Sequence, residues 1–449
     1  MRCVFLFGLL LAAPAAKAQV TTAGGATNTA WSIVEGLTTE VGQRLAGTEA
    51  EARARSWAVS TLTGLGFANV HVEPFEMPVW VRGAESGEIV APYPQRLALT
   101  ALGGSAATPS KGVTGTIVRF GSLTELEAAP DAVVRGRIVF VDHAMGATMD
   151  ASSYGYFGRI RRKGPSVAAR KGALAIVIRS IGTDRHRVPH TGETDWEPGV
   201  TPIPAAALSV PDAEQLTRVI ARGRAVTLRI SLASSVKSRG SSGNVIAEVP
   251  GRDPSLPIVA IGGHLDSWDL GTGAVDDGAG AAITAAAAER LLVGPKPLRT
   301  IRLVWFGAEE PGDLGGEAYG KAHQAEPHAL VGEADMGADR VWQFRVGNAD
   351  IAAPPYAAMA AALEPLGVAP NPQEGHGGDF HFVADATHAV VVNLMQDTSR
   401  YFEIHHTADD TLDKIDPQQL AQAADAWTAM LRVAANAPEL PTTAYSSKK

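Results

Sequence analysis

The chain has one cysteine among 449 residues, Cys3, so nearly the whole length is free of thiol chemistry. That scarcity excludes a disulfide framework, a thiolate metal ligand and a cysteine nucleophile. Any metal site must be built from histidine and carboxylates. Long apolar runs are also missing. The longest, Val4 to Ala13, is about half the twenty residues a bilayer span needs. A basic excess is missing too. With 47 acidic against 39 basic residues and a formal net charge of −8, the chain does not fit a nucleic-acid partner. The one basic cluster, Arg159-Ile160-Arg161-Arg162-Lys163, reads as a solvated turn or helix face. Internal repeats and low-complexity tracts are absent.

What is present is globular: 45% hydrophobic and 19% charged residues, enough for a large core divided over two or three domains. Arg2, the apolar run after it and Ala16-Lys17-Ala18 have the form of an export signal with a small-x-small cleavage site. Residues 1–18 are therefore expected to be removed and the protein to be periplasmic or secreted, with no membrane span.

Residues 27–66 carry helical periodicity, which Gly64 and Gly66 end, and Val70 to Val81 alternates as strands do. From about 96 to 238 the texture changes to short β-like runs (115–118, 136–141, 173–178 and 226–230) between Gly, Pro and polar turns. This predicts a β-rich insert. Lys237 to Gly243, small and polar, reads as a flexible linker. From Asn244 onward strands and helices alternate: Ile258 to Gly262, Gly278 to Leu292, Thr300 to Phe306, Ala389 to Leu394 and Pro417 to Ala434. That order predicts an α/β sandwich on a mostly parallel sheet. The expected divisions are 19–95 and 239–449 for the two parts of one α/β domain, and 96–238 for the insert.

In such a sheet, ligands bind beyond the carboxyl ends of the strands. The residues there are His264 and Asp266, then Asp276 and Asp277 opening the Ala-rich segment, then Glu309 and Glu310, then Glu333 and Asp335, and finally His405 and His406. Asp277 suits a helix N-cap, and Asp276 beside it is free to face a cleft. Two adjacent glutamates at a strand end repel each other, and a cation between them relieves the repulsion. The set suits two divalent ions with a carboxylate shared between them. Nitrogen and oxygen ligands without sulfur favour zinc, with cobalt or manganese also possible.

The string Gly262-Gly263-His264-Leu265-Asp266-Ser267-Trp268-Asp269, followed by Val275-Asp276-Asp277-Gly278, Ala308-Glu309-Glu310, Glu333-Ala334-Asp335 and His406-Thr407-x-x-Asp410-Thr411, resembles the co-catalytic di-zinc exopeptidase family. Within it the doubled histidine and Arg44-Leu45-Ala46-Gly47-Thr48 look most like the carboxypeptidase Q branch. Segments 137–141, 172–178 and 203–209 resemble a protease-associated domain. The resemblance implies a three-layer zinc-exopeptidase sandwich. It also implies His264 and Asp335 on one zinc, Glu310 and His406 on the other, Asp276 bridging, Asp266 orienting His264 and Glu309 as general base. His406 is preferred to His405 because it immediately precedes the Thr-x-x-Asp-Thr string. The implied substrates are dipeptides or short peptides with free termini. An aminopeptidase acting on longer peptides is the near alternative, and a non-catalytic, receptor-like binding protein the distant one. The insert would shape substrate access or support a homodimer. His376 and His381, which flank Gly377-Gly378-Asp379, receive no role.

Overall fold

The computed structural model describes residues 28–442, apart from 374 and 376; the expected signal segment and His376 therefore lie outside the described residues. Two eight-stranded mixed sheets organise the described residues. The first runs, edge to edge, through Ala68–Val81, Ser235–Val249, Ile301–Phe306, Ile258–His264, His328–Glu333, Val390–Gln396, Val341–Gly347 and Ala369–Asn371. Its middle four strands are parallel, and antiparallel pairs flank them on both sides.

Every residue of Ile258–His264 and Ile301–Phe306 is buried, as strands covered on both faces must be. Alternation divides their side chains between two cores. Val259, Ile261, Leu303 and Trp305 pack with helices Ala279–Glu289 and Pro417–Ala434. Ala260, Val304 and Phe306 pack with Tyr319, Phe380 and Val383 of the opposite helical layer. The result is the three-layer α/β/α sandwich. Ala279–Glu289 is buried almost all round, and its alanines let it lie close to the sheet. Among the described residues, no helix is long and apolar enough to cross a membrane.

The second sheet contains Gln95–Leu97, Glu85–Ala91, Thr227–Leu232, Val113–Phe120, Ile138–Val141, Ala175–Arg179, Ala205–Leu208 and Leu99–Ala101. It begins at Glu85, earlier than the change of texture at 96 suggests. It is also less purely β than expected. Four of its strands are parallel, and helices Tyr154–Arg170 and Val210–Ile220 pack on it. The first of those helices carries Pro165 and several glycines, which hide its periodicity.

The expected linker 237–243 is not a linker. It lies inside the strand Ser235–Val249, paired antiparallel with Ala68–Val81. Its glycines serve close approach rather than flexibility, since a Cβ on Gly243 would meet the Glu73 carbonyl at 2.9 Å.

Candidate functional site

The two carboxylate oxygens of Asp276 face two different groups of side chains. Oδ1 lies 3.1 Å from His264 Nε2, which in turn is 3.6 Å from Asp335 Oδ1. Oδ2 lies 3.2 Å from His406 Nε2, which is 3.0 Å from Glu310 Oε2. All of these residues project from the carboxyl edge of the four parallel strands. His264 ends its strand, Glu310 and Asp335 follow two neighbouring strands, and His406 follows the short helix Tyr401–Ile404.

The loops are fixed by buried polar contacts. Asp277 accepts the His264 N–H at 3.0 Å and the Gly280 N–H at 3.0 Å, tying the strand end to the start of helix Ala279–Glu289. Asp410 accepts the backbone N–H groups of Val275 (2.6 Å) and Asp276 (3.3 Å). Arg44, fully buried, donates to the carbonyls of Thr272 (2.7 Å), Gly273 (2.8 Å) and Leu265.

Asp266 has two sets of contacts. Its carboxylate accepts the N–H groups of Glu309 (3.0 Å) and Glu310 (3.3 Å). The His264 Nδ1 faces the Asp266 main-chain carbonyl at 3.0 Å and the carboxylate at 3.6 Å. This turn directs the two glutamates apart. Glu310 is buried against His406, while Glu309 faces the cavity with Oε2 3.9 Å from His264 Nε2. Ala308 and His406 both adopt left-handed backbone (φ 58° and 61°), a strain that packing must hold in place.

The charge balance calls for cations. Burial pushes the carboxyls of Glu309, Asp277, Glu333 and Asp379 well above the usual range, and raises Glu310 and Asp335. Burial acts on Asp276 in the same sense, but hydrogen bonds from His264 and His406 outweigh it and hold that carboxyl well below its usual value. Glu310 Oε1 is buried and has no hydrogen-bond partner among the described residues. The separations of 3.0 to 3.6 Å lie within about 0.3 Å of the roughly 3.3–3.6 Å between neighbouring donors of a tetrahedral zinc site. The donor set is nitrogen and oxygen only, and it fits two such ions sharing Asp276.

The residues least legible in the sequence come from the helix Tyr154–Arg170 and the loop between strands Ala175–Arg179 and Ala205–Leu208. The Thr191 N–H donates to the His406 carbonyl (3.0 Å), and the Thr191 carbonyl accepts from His406 Nδ1 (3.3 Å), leaving Nε2 directed at Glu310 and Asp276. His190 bridges the His405 carbonyl (2.7 Å) and Asp184 (2.7 Å). Arg161, from the basic run read as a solvated face, is buried, 4% exposed, with Nη1 3.2 Å from His406 Nδ1. Of the four charged residues in that run, Arg161 is the buried one; the helical phase of a Gly- and Pro-bearing segment gave no sign of it. His405 stacks on His406 with ring centroids 3.5 Å apart and lies 3.6 Å from Asp276. His381 bonds the Gly378 carbonyl (2.8 Å). A cavity of about 500 Å³ opens over the site, lined by Glu309, Asp313 and Met336 on one side and by Tyr154, Arg161 and Glu193 on the other.

Residues 244–431 match the model of Peptidase family M28. Carboxypeptidase Q of Bos taurus is 33% identical over 94% of this chain and 88% of that protein. The crystal structure of a peptidase M28 precursor from Shewanella amazonensis superposes with a TM-score of 0.89 at 44% identity, covering 94% of this chain and 96% of that one. A zinc aminopeptidase from Bacillus subtilis shares the fold, with a TM-score of 0.67 at 21% identity over 91% of this chain and 95% of that one.

Proposed function

The chain belongs to peptidase family M28, and on that premise we propose that it is an exported, periplasmic or secreted, two-zinc exopeptidase that hydrolyses dipeptides or short peptides with free termini. The observation that carries the proposal is the division of Asp276, one oxygen toward His264 and Asp335, the other toward His406 and Glu310. These five residues hold the metals. His406 is favoured over His405 because it also reaches Glu310, at 3.0 Å. The second sheet, with its start moved back to Glu85, is read as the protease-associated unit.

Bound zinc supplies Lewis-acid chemistry, acidifying water near neutral pH and polarising a carbonyl. The protein's own contribution is proton handling and orientation. Glu309 faces the cavity from a turn fixed by Asp266, placed to take a proton from the attacking water and return it to the leaving amine. Asp266 thus orients the base as well as flanking His264. Burial around Glu309 raises its proton affinity, as suits a group that must carry the proton between two steps.

The test is product analysis by mass spectrometry on dipeptides, N-terminal amides and longer peptides, with and without a chelator. Chelator-sensitive cleavage of dipeptides, with two zinc ions per chain by elemental analysis, is the expected result. Stepwise loss of N-terminal residues from longer peptides would make the protein an aminopeptidase. No cleavage by zinc-loaded protein would leave the binding-protein reading.

A further inference from the structure

Trp268 and Asp269 end the string that begins Gly262-Gly263-His264, yet neither is among the residues proposed to hold the metals. Their partners are Trp80 and Arg82, at the end of strand Ala68–Val81 and just beyond it. Arg82 lies in the short crossing 82–84 that leaves the first sheet and enters the second at Glu85. The Asp269 carboxylate accepts from Arg82 through Nε, 3.0 Å from each oxygen, and through Nη2, 2.9 Å from Oδ1. The rest of the guanidinium is taken by the second sheet and its loops. Nη1 donates to the Thr100 hydroxyl (2.6 Å), the Ala101 carbonyl (2.6 Å) and, at 3.4 Å, Glu85. Nη2 donates to the Thr191 hydroxyl at 3.0 Å. The Arg82 side chain is only 9% exposed, so water competes little for these bonds.

Two paths run from this guanidinium to His406. The polar one passes through Thr191, whose side chain is held by Arg82 and whose main chain holds both the His406 carbonyl and Nδ1. The aromatic one passes from Arg82, 5.1 Å from the Trp80 ring, through Trp80 and Trp268 (6.1 Å) to His406 (5.9 Å). Gly192 lets the second sheet's loop come this near. Its φ is 127°, and a Cβ there would lie 2.6 Å from His406 Nδ1. We propose that Arg82 is a positioning residue for the metal site. By gripping Asp269 on one side and Thr191 on the other, it seats the second sheet's loop against His406. It thereby sets the affinity for the ion that His406 and Glu310 share with Asp276. A planar fork suits acceptors converging from both sides of the junction, and a lysine point charge does not. This rests on the two-metal reading and adds to it a residue remote from the ligands themselves.

The experiment measures zinc affinity in the full chain by competition with a chelator, for wild type, Arg82→Met, Arg82→Lys, Thr191→Val and Thr191→Ser. The thermal midpoint of the metal-free protein and the visible absorption of the cobalt-loaded protein are recorded for each. Arg82→Met is expected to weaken one of the two ions by roughly 10- to 100-fold, the worth of an outer partner of a ligating histidine, and to leave the other close to wild type. Arg82→Lys should recover only part of the loss. Thr191→Val removes the hydroxyl but keeps both main-chain bonds to His406, so it serves as the gentler variant if Arg82→Met does not fold. It should weaken the same ion and shift the cobalt spectrum, while Thr191→Ser, which keeps the hydroxyl, should match wild type. Combining Thr191→Val with Arg82→Met should cost little more than Arg82→Met alone, since both act on one path. Wild-type affinity for both ions in the folded variants overturns the inference alone. So does an equal weakening of both ions in step with a lower metal-free midpoint. A wild type that binds fewer than two zinc ions overturns the two-metal reading and this inference with it.

Discussion

Thr191 and His406 are bonded to each other twice, by the Thr191 N–H to the His406 carbonyl at 3.0 Å and by His406 Nδ1 to the Thr191 carbonyl at 3.3 Å. A residue from a loop between strands of the second sheet therefore sets the orientation of a candidate metal ligand beyond the first. The neighbouring bridge from Asp184 through His190 to the His405 carbonyl holds the same loop, and the Thr183 N–H adds a bond to the Phe402 carbonyl. Outer partners of a ligating histidine fix its tautomer and ring direction, and losing one costs about 10- to 100-fold in metal affinity. Asp184→Asn and His190→Gln should both show a loss of that size for one of the two metals, read by competition against a chelator. Unchanged affinity in folded variants would confine the clamp to stability.

Glu309 offers a separation of chemistry from binding. It faces the cavity, while the Asp276 contacts belong to the neighbouring acids and histidines. Glu309→Gln should lower kcat by roughly 10² to 10⁴-fold, the usual worth of a positioned general base, with two metals still bound. Near-normal kcat in the metal-replete variant would remove the assignment.

How far the sequence foretells this site depends on where its contacts come from. His264, Asp276, Glu310 and Asp335 stand out as candidates because each ends or follows a strand or opens a helix, while the choice of these among the neighbouring acids, and of His406 over His405, comes from the resemblance to the exopeptidase motifs. Five elements between 258 and 434 are legible from their apolar patterning, among them Ile258–His264, Ala279–Glu289 and Pro417–Ala434, whereas Leu314–His323, Val341–Gly347 and Pro354–Leu363 are not. Arg161, Glu193 and Thr191 could not be found that way. They reach the site through tertiary packing between two sheets, and no local pattern encodes which face of a helix meets another domain. The misread segment 237–243 has the same origin. Small residues suit a flexible linker and a tightly paired strand equally, and only the partner strand decides.

Arg44 provides a test of structural support without any group that touches substrate. It is fully buried and satisfies carbonyls of Leu265, Thr272 and Gly273, on either side of the loop leading to Asp276. Burial lowers its pKa, while Asp410 and Asp266 oppose that shift. Arg44→Met keeps the stem and strands those carbonyls, each at about 1–3 kcal/mol. The expected result is a thermal midpoint well below wild type with and without metal. A midpoint unchanged in both states would show that water or a rearranged loop replaces the guanidinium.

The acid limb of stability has a source away from the metal site. His328, at the start of the strand His328–Glu333, is buried, with Nδ1 on the Glu326 carbonyl (2.8 Å) and Nε2 on the Tyr319 hydroxyl (2.9 Å). Burial, set first against a hydrogen bond to Glu326, lowers its pKa from 6.5 to about 4. The folded state thus prefers the neutral ring. Its contribution is complete above pH 6.5, where the ring is neutral in both states, and is lost as pH falls toward 4, because the unfolded chain takes up the proton first. The difference amounts to about 3 kcal/mol at order of magnitude. Glutamine retains a donor and an acceptor but does not titrate, so His328→Gln should flatten the decline of stability between pH 6.5 and 4 relative to wild type. Denaturant midpoints measured across that range decide the matter, and parallel curves for the two proteins would mean that other groups govern acid unfolding.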